Sequence, residues 1–259
     1  MTAKIPIRAY IGYDPRQSVS FTCLAHSILR HSTLPVSITP LVIDQLPVPR
    51  DMVGLTPFTY TRYLTPWLAG FDGLAVFMDA DMVMTGNIVE LVAHCMEDNE
   101  TAVDFDNTER AVWVVKHKAK FEWPSLMVFN AGHPANKVLT PDHVRANHKT
   151  LAGFTWLEGN RDSDLIGELP PEWNHLVLYD EPRPDAKLIH FTAGAPVWEQ
   201  LAGCEHHETW VKEMQEAVIL APYEQVMGRS VHNDRVKQHM IAMGKLRPEV
   251  RDDGSAAPQ

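Results

Sequence analysis

Residues 74–84 read LAVFMDADMVM, and the fold follows from how this stretch is taken. Leu74 to Met78 is an apolar run too short for a helix and suited to a strand buried on both faces. It runs directly into Asp79-Ala80-Asp81, two carboxylates that no buried strand holds unpaired. Strand alternation would send Asp79 and Asp81 to one side and Ala80 to the other. A pair of carboxylates at the C-terminal end of a buried strand is a hard oxygen site suited to Mg²⁺ or Mn²⁺. Open α/β sheets bind their ligands at that end of the strands. The plainer alternative is a turn in which the two acids cap the next element.

Outward from this stretch the chain alternates strands and helices. Residues 5–11 read as a first strand, 17–30 as a helix and 36–43 as a second strand, a unit that predicts a parallel pair with a right-handed crossover. Its first loop, Gly12 to Arg16, then lies on the same sheet edge as Asp79 and Asp81. Residues 46–57 are a Pro-rich loop, 60–68 a short helix carrying Arg62, and 87–96 a further helix. Short apolar runs at 101–105, 111–115 and 125–129 suggest hairpin strands that make the sheet mixed. Thr140 caps a helix over 141–148, and Pro170 and Pro171 make 169–176 an extended turn. A strand over 186–191 ends at His190. Helices are expected over 208–220 and 223–243. The expected architecture is α/β: one domain over 1–246 with a mixed, mostly parallel central sheet flanked by helices, a helical C-terminal cap at 207–246, and a flexible tail at 247–259.

Bulk properties narrow the partners. The 259 residues carry 23 Lys and Arg against 33 Asp and Glu, a formal charge of −10, which disfavours nucleic acid or an anionic membrane as the main partner. No run reaches the length of a transmembrane helix, and the N-terminus lacks the apolar core of a signal peptide. The three cysteines, Cys23, Cys95 and Cys204, form no CxxC pair and read as reduced thiols of a cytoplasmic protein.

Several side chains carry potential chemistry. His190 closes a strand and would serve as a third metal ligand or as a structural core residue. Arg62 offers a five-donor fork suited to a diphosphate. Gly194, before Pro196, allows a tight bend that brings amides near a phosphate, and Asn130-Ala131-Gly132 follows a strand as either a sugar contact or a plain turn. Cys204-Glu205-His206-His207 looks like a metal cluster, but its residues are contiguous and lack the spacing of a structural zinc site. Lys116-His117-Lys118 is a small basic run, and Trp113, Trp123, Trp156 and Trp198 are sugar-stacking or core aromatics.

Taken in order over 7–198, these motifs resemble the GT-A fold glycosyltransferases. They are most similar to the family-8 group of retaining enzymes that includes glycogenin and bacterial galactosyltransferases. The carrying residues are Tyr10-Ile-Gly-Tyr-Asp14, Tyr60-Thr-Arg62-Tyr63, Phe77-Met-Asp79-Ala-Asp81, Phe129-Asn130-Ala-Gly132, Leu169-Pro-Pro-Glu-Trp173-Asn174 and His190-Phe191-Thr-Ala-Gly194. The resemblance implies a nucleotide-sugar donor, a UDP-sugar above all, a divalent metal such as Mn²⁺ or Mg²⁺, and a saccharide or other acceptor. Asp79, Asp81 and His190 would hold the metal. Ile11, Gly12, Tyr13 and Asp14 would cradle base and ribose, with Ala80 beside the donor. Arg62 would reach the diphosphate or donor sugar, Asn130 and Gly132 would face the sugar, and Gly194 would approach the phosphates. The family's DQD-like segment corresponds to Asp162-Ser163-Asp164, which makes Asp164 and Asp162 the catalytic candidates beside Arg62. Two departures stand out: the turn after His190 has one extra residue and no lysine, and the glutamine of the DQD segment is absent.

Three other readings fit parts of the same residues. Asp79-Ala-Asp81-Met-Val83 also matches the DxDx[TV] motif of HAD-type phosphohydrolases, although that motif normally opens the chain's first strand and no GDxxxD partner follows. A sugar nucleotidyltransferase would want a richer glycine loop than 12–16. A non-catalytic binding protein would keep the fold alone.

Overall fold

The computed structural model describes residues 7–97, 110–197, 199–217 and 233–244. The chain divides into two compact units, Met1–Ala217 and Val218–Gln259. In the first, a six-stranded sheet has the order β2-β1-β3-β6-β5-β7. Its strands are β1 (Ile7–Gly12), β2 (Val36–Leu41), β3 (Leu74–Met78), β5 (Val112–Val114), β6 (Leu126–Asn130) and β7 (Ile166–Glu168). β1 is parallel to both β2 and β3, and β7 is parallel to β5. β6 is antiparallel to both β3 and β5, so it alone runs backwards. The sheet is mixed and mostly parallel, as expected.

Burial follows position in the sheet. β3 lies between β1 and β6, and Ala75 to Met78 are at most 1% exposed, the environment a continuous apolar run demands. β2 is an edge strand that alternates half-buried and exposed residues, and Pro40 is tolerated there because it has no second neighbour to bond. α1 (Ser18–His31) crosses between β1 and β2, burying Ser20, Cys23, Leu24, Ser27 and Ile28 at helical spacing.

A second sheet of three short strands has the order β4-β9-β8: β4 (Met82–Met84), β9 (Leu188–His190) and β8 (His175–Leu176). One face joins the main core through Met82, Met84 and Leu188, and the other forms a smaller core in which Val83, Ile189, Val177 and Phe191 meet Cys23 and Trp210. Trp210 belongs to α5 (His207–Ala217), which packs on α1. The buried Glu213 of α5 is met by Arg30 (2.8 Å) and His26 of α1. Burial pushes the Cys23 thiol up to about 12, and all three cysteines are free thiols, Cys23 and Cys95 in the core.

Several expected elements differ in detail. The helix expected over 60–68 is a 3₁₀ turn, Thr61–Leu64, followed by a single α turn, α2 (Thr65–Leu68). α3 (Ile88–Glu97) and α4 (Pro141–Asn147, capped by Thr140 Oγ1) fall where expected. The stretch 169–176 contains a 3₁₀ turn, Pro171–Trp173, and then β8. The expected C-terminal cap is divided, with α5 in the first unit and α6 (Asn233–Ala242) in the second. The strand expected at 101–105, the tail at 247–259 and Trp198 lie outside the described residues.

β4 and β7 were not anticipated. β7 carries a glycine at its centre because the Trp113 ring of β5 occupies that space, and a Cβ on Gly167 would stand 2.1 Å from Trp113 Cδ1. Trp113 is fully buried and cannot step aside cheaply. Gly167→Ala is therefore expected to lower unfolding stability by about 1–3 kcal/mol, read as a reduced urea midpoint at unchanged m-value.

Candidate active site

Asp79 and Asp81 lie in the joint between the two sheets. Asp79 N donates to Ser125 O (2.9 Å) as a last bond of the large sheet, and Asp81 O accepts from Phe191 N (2.9 Å) as a first bond of the small one. The segment between them is bent rather than extended, so the acids converge through the change of sheet and not through strand alternation. The antiparallel register Met82↔His190 sets the imidazole beside Asp81, with His190 Nε2 3.4 Å from Asp81 Oδ1. One ligand atom from each of Asp79, Asp81 and His190 falls within a common 4.8 Å span.

Arg62 completes the cluster. Its Nη2 is 3.0 Å from Asp79 Oδ1 and its Nη1 donates to Pro124 O at 2.8 Å. The guanidinium also lies over the Phe77 ring at 5.0 Å. Glu122, which sequence reasoning missed, adds a third carboxylate, 9% exposed: Oε1 accepts from Thr192 Oγ1 (2.7 Å) and Oε2 is 3.9 Å from His190 Nδ1. The only local signal was an acidic residue between Phe121 and Trp123, ahead of a buried strand. Asn174 reaches the same neighbourhood through Ser125 Oγ (2.8 Å).

The electrostatics are those of an anionic site short of cations. Burial pushes the Asp79 carboxyl up to about 7, against the pull of Arg62, and Asp81 and Glu122 add to the rise. Burial opposes a charged His190, but Asp81, Asp79 and Glu122 outweigh it and raise its pKa. Asp79 Oδ1 and Asp81 Oδ1 are buried and accept no well-aligned hydrogen bond. Two hard oxygens without a well-aligned hydrogen bond, beside a buried imidazole, fit a divalent cation.

A group whose folded-state pKa is raised contributes stability at low pH and loses it as pH climbs through the folded value. Without metal, Asp79→Asn is therefore expected to gain stability relative to wild type as pH rises from the ordinary carboxylate range to about 7. Urea melts of both proteins in chelator across that window measure it, and a flat difference contradicts it.

Of the other expected residues, Ile11, Gly12, Tyr13 and Asp14 do share this edge, since Ile11 is in register with Met78. Asp14 is buried and bound by Arg16, whose hydrogen bonds hold its carboxyl below the usual range although burial pushes the other way. Phe58 lies directly on Gly12, where a Cβ would stand 2.4 Å from its ring. Asp14, Thr56, Phe58, Ala80 and Asp81 border a cavity of only about 20 Å³, so residues 46–60 cover the place expected for base and ribose. Gly194 follows His190 on this edge in a tight turn (φ 115°, Gly194 N to Phe191 O 2.7 Å), a conformation suited to glycine.

Four expected residues do not join the site. β6 runs antiparallel to β3, so Leu126 is beside Met78 while Asn130 is beside Leu74. Asn130 and Gly132 thus lie at the edge opposite the acids, and the segment that reaches the site is 122–125, at the start of the strand. Asp162 and Asp164 precede Ile166, which is level with Val112 and through it with Phe129 and Ala75. They too lie at the far edge, at least ~13 Å of strand from Asp79 at about 3.3 Å per residue. The catalytic assignment to Asp162 and Asp164 is therefore withdrawn.

No family model matches the chain. Among solved structures, the apo form of the bifunctional glycosyltransferase WbbM superposes with a TM-score of 0.57 at 14% identity, over 88% of this chain and 52% of that one. The glycosyltransferase GlyE of Streptococcus pneumoniae superposes with a TM-score of 0.53 at 14% identity, over 89% of this chain and 64% of that one. The chain thus spans about half to under two thirds of these structures, and shares with them the GT-A-like fold that its sheet order displays. Protein CDI of Arabidopsis thaliana is 32% identical over an aligned length of 233 residues, and the match covers 82% of this chain and 88% of that protein. An identity of that level over nearly the whole of both chains shows that this protein belongs to the family of Protein CDI.

Proposed function

We propose that this protein is a metal-dependent glycosyltransferase of the family-8 kind, moving a sugar from a nucleotide-sugar donor, a UDP-sugar in the first place, to a saccharide or other acceptor. The observation that carries the reading is the convergence of Asp79, Asp81 and His190 around buried oxygens that accept no well-aligned hydrogen bond, with Arg62 at their side. Asp79, Asp81 and His190 would hold the divalent ion, Mn²⁺ or Mg²⁺, which when bound supplies positive charge against a departing nucleoside diphosphate.

The protein's own groups do the rest. Arg62 neutralises Asp79 and keeps one face of its guanidinium on Phe77, so its charge is fixed before any donor arrives. Glu122 and Thr192 fix the turn that follows His190, and Gly194 lets that turn bring backbone amides toward the diphosphate. Ile11 to Asp14 would receive base and ribose once residues 46–60 and Phe58 move off Gly12. Retention at the anomeric carbon is proposed with the kinship, as is a cytoplasmic setting; among the described residues no helix is long and apolar enough to cross a membrane.

A screen of UDP-, GDP- and TDP-sugars, read as nucleoside diphosphate release with Mn²⁺ present, tests the proposal. Metal-dependent release from one donor class supports it. Phosphate release from sugar phosphates without any nucleotide favours a phosphohydrolase and overturns it, as does nucleotide binding with no turnover of any donor and acceptor.

A further inference from the structure

The run Cys204-Glu205-His206-His207 lacks metal spacing by itself, but the fold brings a further histidine to it from an earlier strand. His175 of β8 places Nε2 2.9 Å from Glu205 Oε2, and His206 Nε2 is 3.2 Å from Glu205 Oε1. One ligand atom from each of the three lies within a 4.8 Å span. His175 is fully buried, whereas the side chains of Glu205 and His206 are 26% and 14% exposed. Its second nitrogen, Nδ1, is buried without a hydrogen-bond partner and faces Asp180 Oδ2 at 3.9 Å. Leu176 N holds that carboxylate at 3.0 Å. A ring nitrogen directed at a carboxylate while the other faces the ion is the usual arrangement of a metal-bound histidine.

We infer that His175, Glu205 and His206 form a second cation site, for a borderline-soft divalent ion of the zinc class. Two imidazoles and one carboxylate are the donor set such ions take with a fourth position left open. A cavity of about 330 Å³, lined by Cys204, His206, His207 and Thr209 among others, lies beside His206. The site is separate from the Asp79, Asp81 and His190 cluster. His175 is in register with Ile189, and Leu176 with His190, so strand alternation puts the two histidines on opposite faces of the small sheet. On its face the ion ties β8 to the start of α5 and to the 183 region, because Arg183 N already donates to Glu205 Oε1 (2.8 Å); it takes the place of the proton that His206 Nε2 gives to Arg183 O (3.1 Å).

The test uses the full chain carrying Asp81→Asn, which removes the first site, so its failure does not depend on the transferase reading. After chelation, loading with Zn²⁺ and desalting, this protein is expected to retain one zinc per chain by elemental analysis. Co²⁺ in its place is expected to give the visible absorption of a four- or five-coordinate ion. Adding Glu205→Gln or His206→Gln, both at part-exposed positions, is expected to reduce retained zinc to background and to abolish the rise in melting temperature that Zn²⁺ gives the parent, each variant being compared with its own metal-free melt. If the Asp81→Asn protein holds no zinc, or if Glu205→Gln and His206→Gln leave its zinc in place, these residues are a hydrogen-bonded tie and nothing more.

Discussion

Asp81→Asn is expected to lower metal-dependent nucleoside diphosphate release by about 10³-fold, the rate equivalent of some 4 kcal/mol, while leaving the fold intact. The side chain is 25% exposed and accepts no well-aligned hydrogen bond at Oδ1, so an amide of the same shape gives up there only the charge that faces His190 Nε2 at 3.4 Å. Its loss removes one negative charge from a cluster that also holds Asp79 and Glu122. The metal-free melting temperature is therefore expected to hold or rise. Initial rates at saturating donor and Mn²⁺, paired with thermal melts in chelator, measure both halves. A variant that melts like wild type and turns over within about tenfold of it would show that the ion does not act through this carboxylate.

Arg62→Ala is expected to be the most destabilising single change at the site, approaching about 3–5 kcal/mol as pH rises well above 7, because it leaves the buried Asp79 without its cation where that carboxyl would be ionised. On a domain with a total stability of about 5–15 kcal/mol that is a large share. The effect carries a pH signature. With Arg62 gone, burial and Asp81 act on Asp79 unopposed by that guanidinium, so its folded-state pKa rises further. The penalty therefore grows as pH climbs through about 7 and shrinks toward the packing loss alone below it, where Asp79 is protonated in the folded state of both proteins. Arg62→Lys keeps the charge but not the planar fork that joins Asp79 to Pro124 O and lies over Phe77, and is expected to fall between the two. Urea unfolding of the three proteins across pH, in chelator, reads this out. A pH-independent loss would mean that Arg62 matters for packing rather than for the charge of Asp79.

The site's centre was legible because chemistry forces it: an apolar run ending in two acids has to meet something positive, and His190 closes a strand whose end offers a ligand. The fold was legible for the same reason, through the strand–helix–strand unit over 5–43. What escaped was direction. A motif after a strand lies at the ligand edge only if that strand runs with its neighbours, and β6 runs against them, which carried Asn130 and Gly132 to the far side and brought Glu122 to Ser125 in. β4 was hidden because Met82–Met84 continues the apolar run of β3, with only the bend at Ala80 dividing two sheets. β7 left no periodic trace, being three residues with a glycine fitted to Trp113. Asp162 and Asp164 were placed by kinship alone, and the strand they precede starts at the wrong edge. Phe58 over Gly12 depends on how residues 46–60 fold back, which no local pattern encodes.

Titrating Mn²⁺ by the paramagnetic resonance of the free ion, with and without UDP, on wild type and on Asp81→Asn and His190→Asn tests the central claim most directly. The account predicts one ion in wild type whose affinity rises when UDP is present, and loss of that UDP-dependent ion in both variants. UDP binding to metal-free wild type as tightly as to the Mn²⁺ form, or a UDP-dependent ion that survives both substitutions, would contradict it.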